Sequence, residues 1–314
     1  MRSNGGSAVP DRRRVVPILV GPTAVGKTAV AEALAVHWPL AVISADSRQV
    51  YRGLDIGTAK PSAALRRRVP HWGLDLVDPG ERYSAGRFAK DSAAWLAEIP
   101  PERQPIVVGG TGFYVRALVD GLFHEPPLDA TRRARLRDLL KGAEDLAAWA
   151  VRLDPAFSGG GRQRAARSVE IALLTGRTLS WWQRHAAAAG LVTAWYVRLT
   201  VPRAVLRRRI SERTTAMLTA GLIAEVEALM ARGVRADAPG LDGVGYREVV
   251  AYLAGRLPRA GLQDAIERAT VRYAKRQETW FRHQLPAETL TLDATGDAAG
   301  VAADIAARWA VRGH

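Results

Sequence analysis

A chain of 314 residues has room for two domains, and 48% apolar with 24% charged residues is ordinary globular composition. The absence of cysteine excludes a disulfide scaffold, thiolate metal sites and a cysteine nucleophile. The net charge of +14 comes from 40 arginines and 5 lysines against 31 acids, which points either to a polyanionic partner or to a compositional bias toward arginine.

Residues 1–14 are charged and lack an apolar stretch, so they read as a disordered tail and not as a signal peptide. Val15–Val20 is a short apolar strand that runs into a glycine-rich turn, and Thr28–Val36 continues as an alanine-rich helix. Leu40–Ser44 is a second strand, Ser84–Ile99 a helix, and Pro105–Val108 a buried strand ending in Gly109-Gly110. Residues 126–195 offer helical stretches broken by proline and glycine. A strand period returns at Trp195–Val201, a helix follows from Pro202 to Met217, and Leu290–Leu292 suggests one more strand. Strands alternating with helices predict a parallel α/β sheet of the P-loop NTPase-like kind. The expected architecture is a core of residues 15–125 and 196–314, with C-terminal helices, interrupted by a mostly helical insertion, 126–195. Residues 126–195 carry +5 and residues 196–285 carry +7, so the basic excess lies in the insertion and after it. No run is apolar for long enough to span a membrane, and a cytoplasmic location is expected.

Gly21-Pro22-Thr23-Ala24-Val25-Gly26-Lys27-Thr28 matches the phosphate-binding loop G-x-x-x-x-G-K-[ST] and lies between a strand and a helix. Its glycines let backbone N–H groups converge on phosphate oxygens at a helix N-terminus. Lys27 adds a point charge, and the Thr28 hydroxyl can ligate Mg²⁺. NTPases usually carry an apolar strand that ends in a metal-holding aspartate, whereas Ile106-Val107-Val108 ends in Gly109-Gly110-Thr111. Routine nucleotide hydrolysis is therefore disfavoured, although the loop type itself is an ATP-binding one. Strand two leads directly into Asp46, which should sit at the same rim as the loop. On residue type alone Asp46 is a general base, a metal ligand or a helix cap.

Arg213 stands out on the helix from Pro202 to Met217. At 100° per residue it shares an arc with the apolar Leu206, Ile210 and Met217. An inward guanidinium needs an anion, either a buried carboxylate or a bound phosphate. Between Arg268 and Arg282 the basic residues Arg268, Arg272, Lys275, Arg276 and Arg282 separate from Ile266, Tyr273, Trp280 and Phe281. This gives a helix with a packed back and a phosphate-tracking front. Trp181-Trp182 is better explained by packing than by base stacking.

The strings GPTAVGKT, SADSRQVYRGLDIGTAKP, VPHWGLDLVDPGERYSAGRF and IVVGGTGFYVRAL resemble the tRNA dimethylallyltransferases (tRNA isopentenyltransferases). So do RQRAARSVEIALLTGR, RISERTTAMLTAGLIAEV, GVGYREV and TVRYAKRQETWFR, in the family's order from about Val15 to Arg282. The resemblance implies transfer of a dimethylallyl group from dimethylallyl diphosphate to the exocyclic amine of the adenosine 3′ of the anticodon, with Mg²⁺. It implies that the phosphate loop cradles the donor's diphosphate, that Asp46 is the base, and that Thr111 holds the target base. Ser47, Arg48 and Gln49 fall in the tRNA-contacting string that Asp46 opens. Arg213 matches the RI-x-x-R arginine, which favours a diphosphate clamp. Arg133 in D-x-x-x-R, opened by Asp129, and Gln163, Arg164 and Arg167 in QR-x-x-R match tRNA contacts, to which the basic front adds Arg272, Lys275 and Arg276. The chain departs from the family at Ser158-Gly159-Gly160-Gly161, which precedes Gln163 where a tighter turn is usual, and at Ser168, which replaces a leucine. The implied partner is the anticodon stem-loop of tRNA, met by a monomer. A P-loop small-molecule kinase and a non-enzymatic RNA-binding nucleotide sensor are the alternatives.

Overall fold

The computed structural model describes residues 13–123, 128–186 and 188–312. They form two compact units, Met1–Val119 with Leu191–His314, and Asp120–Gly190. The insertion thus begins and ends a few residues earlier than the expected 126–195. Most of the expected tail, residues 1–12, lies outside the described residues. Arg14 is already part of the fold, because its backbone O accepts from Thr193 N at 3.0 Å and its Nη2 donates to Arg103 O at 2.9 Å.

The core is a six-stranded parallel sheet made of β1 (Val15–Val20), β2 (Leu40–Ser44), β3 (His71–Trp72), β4 (Gln104–Gly109), β5 (Thr193–Thr200) and β6 (Leu290–Asp293). Its order is β3-β2-β4-β1-β5-β6. β1 pairs with β5 from Val15 onward but with β4 only from Ile18, so the missing N–H of Pro17 falls where the β4 ladder has not begun. β2 is buried at all five positions, as a strand covered on both faces must be. Helix α1 (Lys27–Leu34) and a helix near the C-terminus, Ala298–Ala310, cover one side. There Leu34, Leu40, Val197, Ile305 and Trp309 join one apolar cluster, and the Trp195 and Trp309 rings lie 5.1 Å apart. A second group holds Phe88, on the helix Ala85–Glu98, stacked at 4.5 Å on Tyr114, on the helix Gly112–Val119.

After β5 come the helices Arg203–Thr219, Leu222–Ala231 and Tyr246–Leu253, and then the 26-residue helix Arg259–Gln284. The buried residues of Arg203–Thr219 are Leu206, Ile210 and Thr214; Met217, expected on that arc, is only half-buried. Among the described residues no single helix is long and apolar enough to cross a membrane.

The insertion is helical, with Ala130–Gly142, Leu146–Leu153, Arg162–Thr175 and Leu179–His185 around a small core of Leu140, Leu146, Ala150, Ala165 and Val169. Asp129 caps its first helix by accepting from Arg132 N at 2.6 Å. Asp154 is 3% exposed and accepts from Ser180 N at 2.9 Å and Ser180 Oγ at 2.7 Å. The glycine-rich departure ends at Gly161, the N-cap of Arg162–Thr175. At Gly160, with φ 134°, a Cβ would come within 2.6 Å of Arg164 Cδ, so glycine makes room for that side chain.

Candidate functional site

The phosphate loop leaves the carboxyl end of β1 and closes into α1. Gly26, the N-cap of α1, takes the left-handed φ 110° that a residue with a Cβ resists. At Gly21 a Cβ would meet Leu199 O at 2.8 Å, so the start of the loop lies flush against β5. Lys27 Nζ folds over the loop and donates to Gly21 O at 2.9 Å and Pro22 O at 2.8 Å. Burial pushes its ammonium down to about 8; Asp46 opposes the shift and Arg213 adds to it. Burial likewise lowers the pKa of Arg213, with Asp46 acting against it. Lys27, Arg213 and Asp46 are therefore within electrostatic reach of one another. Thr28 is exposed in the first turn of α1.

Asp46 lies two residues beyond β2, and its Oδ1 accepts from Arg48 N at 2.8 Å. No helix directly follows Asp46, so it is not the helix cap its residue type allowed; the contact is an i to i+2 turn bond that occupies one carboxylate oxygen. Thr111 stands beside it, with Thr111 N donating to Ala45 O at 3.1 Å and Thr111 Oγ1 accepting from Ser47 N at 3.0 Å. Gly109 permits this approach, because a Cβ there would lie 2.1 Å from Ala45 O. The Tyr273 phenol lies beside Thr111, and burial, with Asp46 nearby, pushes it up to about 12. Arg48 and Gln49 turn away to structural partners. Arg48 Nη1 donates to Pro239 O at 2.8 Å, while Gln49 Oε1 accepts from Ser44 Oγ at 2.8 Å and its Nε2 donates to Thr58 O at 3.1 Å.

Three residues that sequence reasoning passed over brace this rim. Gln277 is 7% exposed; its Oε1 accepts from Thr23 N and its Nε2 donates to Gly110 O, each at 2.8 Å. Arg209 holds the loop from behind, with Nη1 donating to Val25 O and Nη2 to Ala294 O, both at 2.8 Å. Glu225 accepts from Asp55 N at 2.9 Å, Ile56 N at 2.8 Å and the Tyr246 hydroxyl at 2.6 Å, which pins the turn that Gln49 also touches. Only the alternation of buried and exposed positions along each helix could have singled these out, and that alternation does not name a partner.

The expected tRNA contacts divide into two sets. Gln163, Arg164, Arg272, Lys275 and Arg276 are exposed. Arg133 and Arg167 instead pair inside the insertion with Glu170, whose side chain is 5% exposed, Arg133 Nε at 2.9 Å and Arg167 Nη1 at 2.6 Å. Arg137 Nε joins them at 2.6 Å. Burial pushes the Glu170 carboxyl up, but the hydrogen bond from Arg137 and the charges of all three arginines outweigh it and leave the pKa below the ordinary value.

Among the described residues no three His, Cys, Asp or Glu side chains cluster as a metal site. The available ligands are hard oxygens, chiefly the Thr28 hydroxyl, which suit a divalent ion that takes its remaining ligands from phosphate and water.

Proteins of one family resemble this chain over most of its length. The IPP transferase family profile matches residues 49–284, and an isopentenyl transferase profile matches 14–68. A tRNA dimethylallyltransferase of Halorhodospira halophila is 43% identical over 285 residues, 88% of this chain and 92% of that one. One from Trichlorobacter lovleyi is 42% identical over 86% of this chain and 91% of its own. Among solved structures, the tRNA isopentenylpyrophosphate transferase of Bacillus halodurans superposes with a TM-score of 0.70 at 34% identity, covering 95% of this chain and 96% of that one. A eukaryotic dimethylallyltransferase captured acting on tRNA superposes at 0.75 with 25% identity, covering 95% and 80%.

Proposed function

The chain belongs to the IPP transferase family of tRNA dimethylallyltransferases, and from that premise we propose how its residues carry out the transfer. The enzyme is a prenyltransferase acting on tRNA. The donor is dimethylallyl diphosphate and the acceptor is the exocyclic amine of the adenosine 3′ of the anticodon. The diphosphate lies in the loop Gly21–Thr28, against its backbone N–H groups, Lys27 and Arg213. A divalent ion, Mg²⁺ in this proposal, is held by Thr28 and screens the diphosphate charge when bound.

The observation that carries this reading is that Gln277 joins the phosphate loop at Thr23 N to Gly110 O, while Thr111 holds Ala45 O and Ser47 N on either side of Asp46, so the loop and the carboxylate share one rim. An adenine amine is a weak nucleophile because its lone pair is delocalised into the ring. Asp46 takes its proton as the new N–C bond forms, while the bond from the same carbon to the diphosphate oxygen breaks. The departing charge stays with Lys27, Arg213 and the loop amides. Such a base contributes ~10²–10⁴-fold, and the cationic cradle acts on charge that develops only as the bond breaks. Thr111, held by Ser47 N and Ala45 O, orients the base. To reach Asp46 the adenine leaves its stack, at a cost of a few kcal/mol.

The exposed Gln163, Arg164, Arg272, Lys275 and Arg276 track tRNA phosphates, whereas Arg133 and Arg167 shape the insertion through Glu170. Asp46, Ser47 and Thr111 meet the target nucleotide, and Arg48 and Gln49 act by holding the neighbouring turns. The insertion serves as the tRNA-binding part, and the chain acts as a monomer in the cytoplasm, where tRNA and the donor meet. The test incubates the protein with Mg²⁺, dimethylallyl diphosphate and unmodified tRNA, and expects prenylated adenosine beside the anticodon. Tight ATP turnover without tRNA, and no prenylated product, would favour the kinase alternative.

A further inference from the structure

We infer that Gln277 is a positioning residue that sets the distance between the donor's phosphate cradle and the loop that holds the acceptor. The inference rests on the proposed roles of the phosphate loop and Thr111. Gln277 lies on the helix Arg259–Gln284 and spans two loops distant in sequence, accepting from Thr23 N and donating to Gly110 O, each at 2.8 Å. Only a carboxamide can serve both partners, since a carboxylate would place two acceptors against one N–H and one carbonyl. The side chain is 7% exposed, so water does not readily replace either bond. The fit to Gly110 is tight: a Cβ there would lie 2.3 Å from Gln277 Nε2.

Two neighbours on the same face extend the grip. Tyr273, one turn earlier, lies beside Thr111. At Gly112 a Cβ would lie 2.2 Å from Trp280 Cε3, which shows how closely that ring rests on the turn. Residues 273, 277 and 280 follow the i, i+4, i+7 spacing of one helix face. The face thus holds residues 110–112 as a unit, and beyond the Val20–Gly109 pairing of β1 with β4 the Gln277 side chain ties that unit to the phosphate loop. Thr23 N–H is one of the loop's backbone donors, so its direction, and with it the loop's curvature, depends on the Gln277 oxygen.

The test compares wild type with Gln277→Leu, which keeps the side chain's bulk and removes both bonds. The readouts are calorimetric affinity for inorganic diphosphate with Mg²⁺, donor KM and single-turnover rate in prenyl transfer, tRNA Kd and thermal melting. The expected result is a diphosphate Kd and a donor KM each raised fivefold or more, with tRNA Kd within twofold of wild type. A purely structural role would lower the melting temperature and the reactive fraction while leaving diphosphate Kd and donor KM unchanged, and that result overturns the inference. Gly110→Ala, which drives the amide away without adding charge, should reproduce the effect and add little to Gln277→Leu in the double variant; additive losses also overturn it. If Gln277→Leu does not fold, Gly110→Ala carries the test by the same diphosphate readout. Wild-type protein that binds diphosphate but transfers no prenyl group would instead count against the proposed function, and the calorimetric comparison would still decide the role of Gln277.

Discussion

Raising the pH from 7 to 9 should weaken the enzyme's hold on its donor through one side chain, Lys27. Its ammonium is pushed down to about 8, chiefly by burial. The sign follows directly: a lysine with a depressed pKa is charged below that value and neutral above it. The free enzyme is then about nine-tenths protonated at Lys27 at pH 7 and about one-tenth at pH 9. A diphosphate favours the ammonium strongly, so above pH 8 donor binding must take up a proton. Donor KM should therefore rise about tenfold between pH 7 and 9, with tRNA Kd nearly constant. Tyr273, the nearby phenol pushed up to about 12, stays neutral throughout this range and does not confound the profile. The assay is initial-rate prenyl transfer at saturating tRNA, at pH 7, 8 and 9. In Lys27→Arg the guanidinium keeps its charge across the range, so the slope should vanish even though the starting KM is higher. A flat wild-type profile, or an equal slope in Lys27→Arg, would refute the reasoning.

Glu170→Ala removes the carboxylate that Arg133, Arg137 and Arg167 share; because the arginines are partly solvated, the loss should be about 2–3 kcal/mol, read as earlier melting of the insertion. An unchanged melt would mean that these arginines are solvated surface groups after all. Glu225→Gln should loosen the turn at residues 55–57 by about 1–2 kcal/mol, seen as faster hydrogen exchange at Ile56 N–H. Binding of tRNA through Arg164, Arg272, Lys275 and Arg276 should fall about a hundredfold between 50 and 200 mM salt, and replacing any one of them should flatten that dependence.

The phosphate loop and Asp46 were legible in the sequence because local chain geometry encodes them: glycines where the backbone must curl, and a carboxylate two residues past a buried strand. The strands β1, β2, β4 and β5 were legible as apolar runs, and even the short β6 was visible. β3 was not, since two half-buried residues carry no period. Gln277 was invisible for another reason. Its partners are backbone groups 254 and 167 residues away, and a glutamine on a helix resembles any solvated polar residue. Arg133 and Arg167 were read as outward contacts because their charge was visible and their partner was not recognised, although Glu170 stands three residues from Arg167. The family resemblance supplied the role of Thr111, which residue chemistry alone did not single out, and favoured a clamp for Arg213, which residue chemistry left between an ion pair and a bound phosphate.

The central claim is that Asp46 removes the amine proton, and single-turnover transfer by Asp46→Asn tests it most directly. Asparagine retains the shape and can still accept from Arg48 N, so folding and the turn survive. The account predicts a rate lowered ~10²-fold or more, with tRNA and donor affinities little changed, the pattern of an interaction made mainly in the transition state. A rate within a few-fold of wild type would leave Asp46 as a turn residue and contradict the mechanism.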